Sequence, residues 1–386
     1  MSESMQASIL LAPGRMEIQS VPVPDLAPNE VRLRTTAVGL CGTDFHIYSG
    51  AANYNLDRSG RPVPLERHPQ ILGHEICGEI VELGKDVRDL KVGDRVIADQ
   101  GLNCLSCNRE VLCDFCQSGD SHQCEFYREH GITGLQGALA EYINLPSVNA
   151  IDMKPGLPQA HAALTEPLAC VLHTADVIQR ASSRFSLQAD DPSRRVQTVL
   201  ICGGGPAGLL FLQFLRRVLG FQGEIVLSEL QQDKRQLAEA FGAKAVNPRE
   251  VHLAEYLREL TQGRQAELIF EATGSGPLFL DLPGYMRRQA TLVLYGHGHE
   301  GVGLESLNQV QWREPTMLSP IGASGGFELD GRPSVYQRSL HMIEDHQILV
   351  EPLISHSYHG LKSVPEAFGG DHRKPGYVKG VVLMES

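Results

Sequence analysis

Cys41 opens the segment CGTDFHIYSG, followed by Thr43, Asp44 and His46, and ILGHEICGEI further along supplies His74 and Glu75. A thiolate, an imidazole and a carboxylate form the ligand set expected of an open zinc site, where one position is kept for substrate. Another carboxylate, Glu166, stands in LTEPLAC. A lone His46 is ordinarily a surface residue and a lone Cys41 a small core residue. Zinc, however, needs several N, S and O donors to converge, and the set as a whole supplies them.

The run VLICGGGPAGLL places Gly203, Gly205 and Gly208 at G-x-G-x-x-G spacing, after a strand-like run and before a helical one. Such glycines allow a tight turn, close approach to a pyrophosphate and tight helix packing. Pro206 suits a first helical position, and with Ala207 it puts the helix N-terminus against the phosphates. Glu229 ends the next strand-like run, where an acidic side chain accepts hydrogen bonds from the adenosine ribose and repels a 2′-phosphate. NAD is therefore expected over NADP, although Lys234 and Arg235 lie close by.

These residues need elements to position them. Short β-rich runs punctuated by Gly, Pro and Asp extend from Ala7 to Ile143, among them Glu30 to Ala37, Gly78 to Leu83 and Asp94 to Ala98. They read as an irregular, barrel-like β domain. From Val196 strand and helix alternate: Val196 to Cys202, Pro206 to Leu219, Glu224 to Ser228, Asp233 to Phe241, Glu267 to Phe270, Pro277 to Arg287 and Ala290 to Tyr295. That rhythm implies a parallel sheet with crossover helices. The polar stretch Arg180 to Arg195 reads as an insertion between the two parts.

Length agrees, since 386 residues are many for one core and fit two domains. With 34 Lys plus Arg against 46 Asp plus Glu, the net charge of -12 argues against nucleic acid as a partner. No apolar run is long enough for a membrane span, and no leader pattern opens the chain, so a cytoplasmic protein is expected. Five of the nine cysteines lie between Cys104 and Cys124, a crowding that fits metal better than disulfides.

Taken in order, Cys41 with Thr43, Asp44 and His46, then Gly73-His74-Glu75, the turn Val92-Gly93-Asp94-Arg95-Val96, the segment Gly137-Ala138-Leu139-Ala140-Glu141-Tyr142 and the glycine fingerprint resemble the medium-chain, zinc-containing alcohol and polyol dehydrogenases, which include sorbitol and threonine dehydrogenases. The resemblance covers nearly the whole chain. It implies an α/β protein with a GroES-like β domain over residues 1–165 and 340–386 and a Rossmann, doubly wound parallel-sheet domain over 166–339. It also implies hydride transfer at zinc between a secondary alcohol (a polyol, sugar, cyclitol or amino alcohol) and NAD, in a homodimer or homotetramer.

By position, the resemblance makes Cys41 and His74 catalytic zinc ligands, with Glu75 and Glu166 completing the shell directly or through water. Cys170 is the alternative to Glu166, because classical alcohol dehydrogenases carry Cys in that region. Thr43 and His46 would relay the proton and Asp44 would orient His74. Relatives with a structural zinc show C-x2-C-x2-C-x7-C, from which this chain departs. Cys104, Cys107, Cys116 and Cys124 are the expected ligands, with Cys113 spare or displacing Cys104 or Cys107. Two rivals are a zinc-independent enoyl or quinone reductase, against which Cys41, His74 and Glu166 argue, and a non-enzymatic nucleotide-binding protein. Finally, 51–70 is longer than usual, and its Arg58, Arg61 and Arg67 raise the idea of a lid selecting an anionic substrate, or else of a solvated excursion balanced by Asp57 and Glu66.

Overall fold

The structure, a computed structural model, describes residues 4–384. It divides into two compact units, one comprising residues up to Cys170 with 323–346 and from Val350 onward, the other 171–322 with 347–349. The units therefore exchange at 170/171 and 322/323, against the expected 165/166 and 339/340.

In the first unit β1 (Ser4–Ala12) pairs antiparallel with β2 (Arg15–Pro22). A larger sheet runs β7-β5-β4-β3-β15-β14, built from β3 (Glu30–Leu40), β4 (Glu75–Leu83), β5 (Arg95–Ala98), β7 (Ala150–Asp152), β14 (Ile354–His359) and β15 (Lys379–Leu383). A further strand, β6 (Tyr142–Pro146), also pairs with β3. The first half of β3 alternates buried and half-buried residues, as a strand with one covered face should. Its second half, Thr35 to Leu40, is buried throughout, so both faces of the sheet are covered there. Leu10, Leu33, Val38, Leu72, Ile76, Ile80 and Leu139 fill the core of this unit.

The second unit has a six-stranded, all-parallel sheet in the order β10-β9-β8-β11-β12-β13. Its strands are β8 (Thr198–Cys202), β9 (Glu224–Ser228), β10 (Lys244–Val246), β11 (Ala266–Glu271), β12 (Met286–Leu294) and β13 (Thr316–Leu318). Every residue of β8 and β11 is buried, so both strands read as continuous apolar runs rather than alternations. Strand order reverses between β8 and β11, the place where a doubly wound sheet opens a crevice at its carboxyl edge.

Candidate active site and metal centres

Three neighbouring strands deliver the first cluster. Leu40 ends β3, and Cys41 caps the N-terminus of α1 (Gly42–Ser49). Across the sheet Gly39 faces Glu75, the first residue of β4, and Leu40 faces Gly380 of β15. A Cβ on Gly39 would lie 1.9 Å from Glu75 Oε2, so only glycine leaves room for that carboxylate. Cys41 Sγ, a ring nitrogen of His74 and a carboxylate oxygen of Glu75 lie within 4.8 Å of one another.

Asp44, fully buried on α1, ties the cluster together. Its Oδ2 accepts from the Cys41 backbone N–H at 2.9 Å, and its Oδ1 accepts from that of Gly73 at 3.2 Å. His74 Nδ1 lies 3.3 Å from the same Oδ1. Burial works to raise the Asp44 carboxyl, but the His74 charge and these hydrogen bonds outweigh it and hold the group below its usual value. Gly73 sits at φ +93, and a Cβ there would be 2.8 Å from Val38 Cγ1, so the turn that aims His74 needs glycine on both counts.

Glu166, at the start of α2 (Thr165–Arg180), stands beside this trio rather than within it. Its Oε1 accepts from Gln100 Nε2 at 3.2 Å and from Cys170 Sγ at 3.3 Å. Glu166 and Cys170, two alternatives in the sequence, are thus hydrogen-bonded neighbours. Burial pushes the Glu166 carboxyl up to about 7 against the pull of the His74 charge. The Thr43 hydroxyl is 3.8 Å from Cys41 Sγ, and His46 is exposed further along α1.

Lys379, which the motif reading missed, is buried on β15, and its Nζ donates to Glu75 Oε1. Burial alone would lower the lysine, but the Glu75 and Cys41 charges raise it. A signal was available: one cation inside the apolar run YVKGVVL has to find a buried partner. Glu75 Oε2 is buried with no hydrogen-bond partner. An unsatisfied carboxylate oxygen beside a thiol and an imidazole is a donor set that fits zinc.

The second cluster corrects the sequence expectation at one position. The sulfurs of Cys104, Cys113, Cys116 and Cys124 lie within 4.8 Å of one another, whereas Cys107 is exposed. Cys104 Sγ is 3.6 Å from Cys124 Sγ, which is 3.8 Å from Cys113 Sγ. Cys113 caps the helix Asp114–Ser118, and its backbone N–H donates to Cys104 Sγ at 3.4 Å. Cys113, Cys116 and Cys124 keep the C-x2-C-x7-C part of the pattern intact, so the extra residues fall between Cys104 and Cys113. Cys107 is carried outward on that excursion. Four close thiols with no disulfide among them fit a closed zinc site.

The loop 51–70 turns its arginines outward: Arg58, Arg61 and Arg67 are all exposed, while Leu65 is buried and Tyr54 packs on the core. Asp57 accepts from the backbone and hydroxyl of Ser59 and from the Arg61 backbone rather than neutralising a guanidinium.

In the second unit, β8 runs into the glycine turn and α3 (Pro206–Gln213), with Pro206 in its first turn. Gly203 has φ +104, and a Cβ on it would be 2.9 Å from Thr273 Cγ2. A Cβ on Gly208 would lie 2.0 Å from the Gly203 carbonyl oxygen, while one on Gly205 would meet no atom within 4 Å. That is the contrast expected if the first and third glycines serve packing and the middle one leaves room for a pyrophosphate. Glu229 follows β9, accepting from Gly204 N through Oε2 and from Gln231 N through Oε1, both at 2.8 Å. Arg235 Nη1 donates to the carbonyls of Glu229 and Leu230. Gly203, Glu229, Arg249, Thr273 and Trp312 are among the residues lining a cleft of about 1150 Å³. Sequence reading also missed Glu271, buried at the end of β11. Its carboxylate takes the backbone N–H of Thr273 at 2.8 Å and lies 2.7 Å from His299 Nε2, fixing the turn that packs on Gly203.

Comparison with known proteins agrees with both units. The alcohol dehydrogenase GroES-like domain matches residues 27–155 and the zinc-binding dehydrogenase domain matches residues 206–343. An erythritol/L-threitol dehydrogenase of Mycolicibacterium smegmatis is 28% identical over 92% of this chain and 91% of its own. An L-threonine 3-dehydrogenase of Symbiobacterium thermophilum is 32% identical over 71% of this chain and 70% of its own. Among solved structures, one assigned as a zinc-binding dehydrogenase of Sinorhizobium meliloti 1021, bound to NADP, has a TM-score of 0.79 and 28% identity, covering 99% of this chain and 100% of that one. The chain belongs to the zinc-containing medium-chain alcohol and polyol dehydrogenase family, and it is an oxidoreductase of the α/β class with a GroES-like and a Rossmann-like domain.

Proposed function

We propose that the protein oxidises a secondary alcohol reversibly to a ketone with NAD as hydride acceptor, using Cys41, His74, Glu75 and Glu166 around a catalytic zinc. The observation that carries this reading is the convergence of Cys41, His74 and Glu75 with an unsatisfied Glu75 oxygen. Zinc held there supplies Lewis-acid polarisation of the substrate oxygen. The chain's own residues do the rest. Asp44 takes the Nδ1 side of His74, leaving the Nε2 lone pair for the metal. Lys379 holds one Glu75 oxygen and leaves the other to the site. A bound NAD would accept the hydride, and Thr43 beside Cys41 with the exposed His46 further along α1 would carry the hydroxyl proton away.

Cys104, Cys113, Cys116 and Cys124 would hold a second, structural zinc. Gly203, Gly205, Pro206, Ala207 and Gly208 would bind the pyrophosphate, and Glu229 the adenosine ribose. Arg235 is turned to backbone carbonyls, which supports NAD over NADP. A homodimer or homotetramer is supported by β13, which ends the parallel sheet with Met317 exposed and with exposed Trp312 and Ile321 nearby. No helix among the described residues is long and apolar enough to cross a membrane. Five of the nine cysteines assigned to metal rather than to disulfides support the expected cytoplasmic location.

The test is a panel of polyols, cyclitols, sugars and amino alcohols with the purified holoenzyme, followed by nicotinamide absorbance. At least one should reduce NAD, and its specificity constant should exceed that with NADP by about a hundredfold, the scale of a several-kcal/mol like-charge penalty between Glu229 and a 2′-phosphate. Parity between the two cofactors would remove the ribose role of Glu229.

A further inference from the structure

Glu129 ends the short strand Arg128–Glu129 and belongs to neither metal cluster. It is only 9% exposed. Its Oε1 accepts from the Tyr127 hydroxyl at 3.1 Å and from Gln100 Nε2 at 3.4 Å. The same Gln100 amide holds Glu166 at 3.2 Å, and its own oxygen accepts from the Tyr336 hydroxyl. One amide therefore bridges Glu129 to a carboxylate of the proposed catalytic site. Glu129 Oε2 accepts no hydrogen bond from a described residue.

Through that amide Glu129 lies close enough to the site to feel its charges. Burial raises its carboxyl against the pull of the His74 charge. Burial, together with the charges of Cys41 and Glu129, also raises the Tyr54 hydroxyl, which the inserted loop brings inward. The charge balance is equally informative. Zinc would be matched by Cys41 and Glu166, and Glu75 is matched by Lys379, the one buried lysine among the described residues. Glu129 has no ion-pair partner among the described residues, and Asp99 is a further buried carboxyl close to it. A substrate that gives Glu129 a hydrogen bond or a positive charge is favoured there, and one that brings a second anion is repelled.

We propose that Glu129 is a specificity-determining residue, its free carboxylate oxygen receiving a hydroxyl or ammonium group of the substrate near the reacting carbon. The substrate class is then a neutral polyol or an amino alcohol, and alcohols that carry a carboxylate or phosphate are turned away. This is opposite to the anionic selection considered for Arg58, Arg61 and Arg67, whose side chains are exposed. The proposal rests on the alcohol dehydrogenase reading above.

Three alcohols of equal carbon skeleton separate the cases: propylene glycol, isopropanolamine and lactate present a hydroxyl, an ammonium and a carboxylate beside the same secondary alcohol. Specificity constants are measured for native holoenzyme, Glu129→Gln and Glu129→Asp, with zinc content and NADH binding for each. Native enzyme should favour the first two over lactate by about a hundredfold, the size of a like-charge penalty. Glu129→Gln should shrink that preference at least tenfold, with isopropanolamine losing most, while zinc per chain and NADH affinity hold. Glu129→Asp, which keeps the charge, should keep the ranking. Native preference for lactate, or a ranking unchanged in Glu129→Gln, overturns the proposal. Native enzyme that reduces NAD with none of these or any other alcohol refutes the underlying reading instead.

Discussion

Replacing Cys113 by serine is expected to remove one of two zinc ions per chain, whereas replacing Cys107 should remove none. The basis is geometric. Cys113 Sγ approaches Cys124 at 3.8 Å and its backbone N–H supports Cys104 Sγ, while Cys107 lies exposed on the preceding excursion. The effect should be large, because closed thiolate sites in small zinc domains bind with about 10–16 kcal/mol at neutral pH, and that binding is also folding free energy. Cys104, Cys116 and Cys124 pack with Leu112, Tyr127 and Phe327 and with little else apolar, so the lobe has no core to fall back on. Elemental analysis and limited proteolysis between residues 104 and 124 check this. Two zincs retained in Cys113→Ser, or one lost in Cys107→Ser, would return the ligand set to the one first expected from spacing.

The second large effect concerns stability. Lys379→Met should destabilise the first unit by about 3–5 kcal/mol, the cost of leaving one partner of a buried ion pair uncompensated. Both side chains are removed from solvent, at 2% and 0% exposure, so screening by water gives little relief. Lys379→Arg should recover much of the loss, since the charge returns. Denaturant unfolding of the metal-free proteins reads this directly, and an unchanged midpoint for Lys379→Met would show that Glu75 does not depend on the lysine.

What could be read from the chain beforehand followed from how local each signal is. The glycine fingerprint, β8 and the first turn of α3 lie within one short stretch, and spacing alone defines them. β4 begins at Glu75 rather than Gly78, because pairing with β3 extends it through the ligand position, and that pairing is a tertiary fact. The helix expected to run to Arg287 stops at Tyr285, where Met286 turns extended and joins β12. Cys113 is only the alternative in the sequence, because Cys104 and Cys107 already present the C-x2-C spacing with which the relatives' pattern opens. Only the packing shows where the extra residues leave the pattern. Lys379 and Glu129 carry no motif, and they become visible only when strands distant in sequence bring them beside Glu75 and Gln100.

The most direct measurement compares zinc content with NAD reduction in native enzyme, Cys41→Ser and His74→Ala, using the best alcohol from the panel. Two zincs per chain and full turnover are expected in the native protein. Each variant should keep one zinc, in the cysteine lobe, and bind NADH normally, with turnover below about a thousandth, the several kcal/mol a Lewis acid contributes to such a barrier. A variant that loses this zinc yet turns over near the native rate would contradict zinc catalysis at Cys41 and His74.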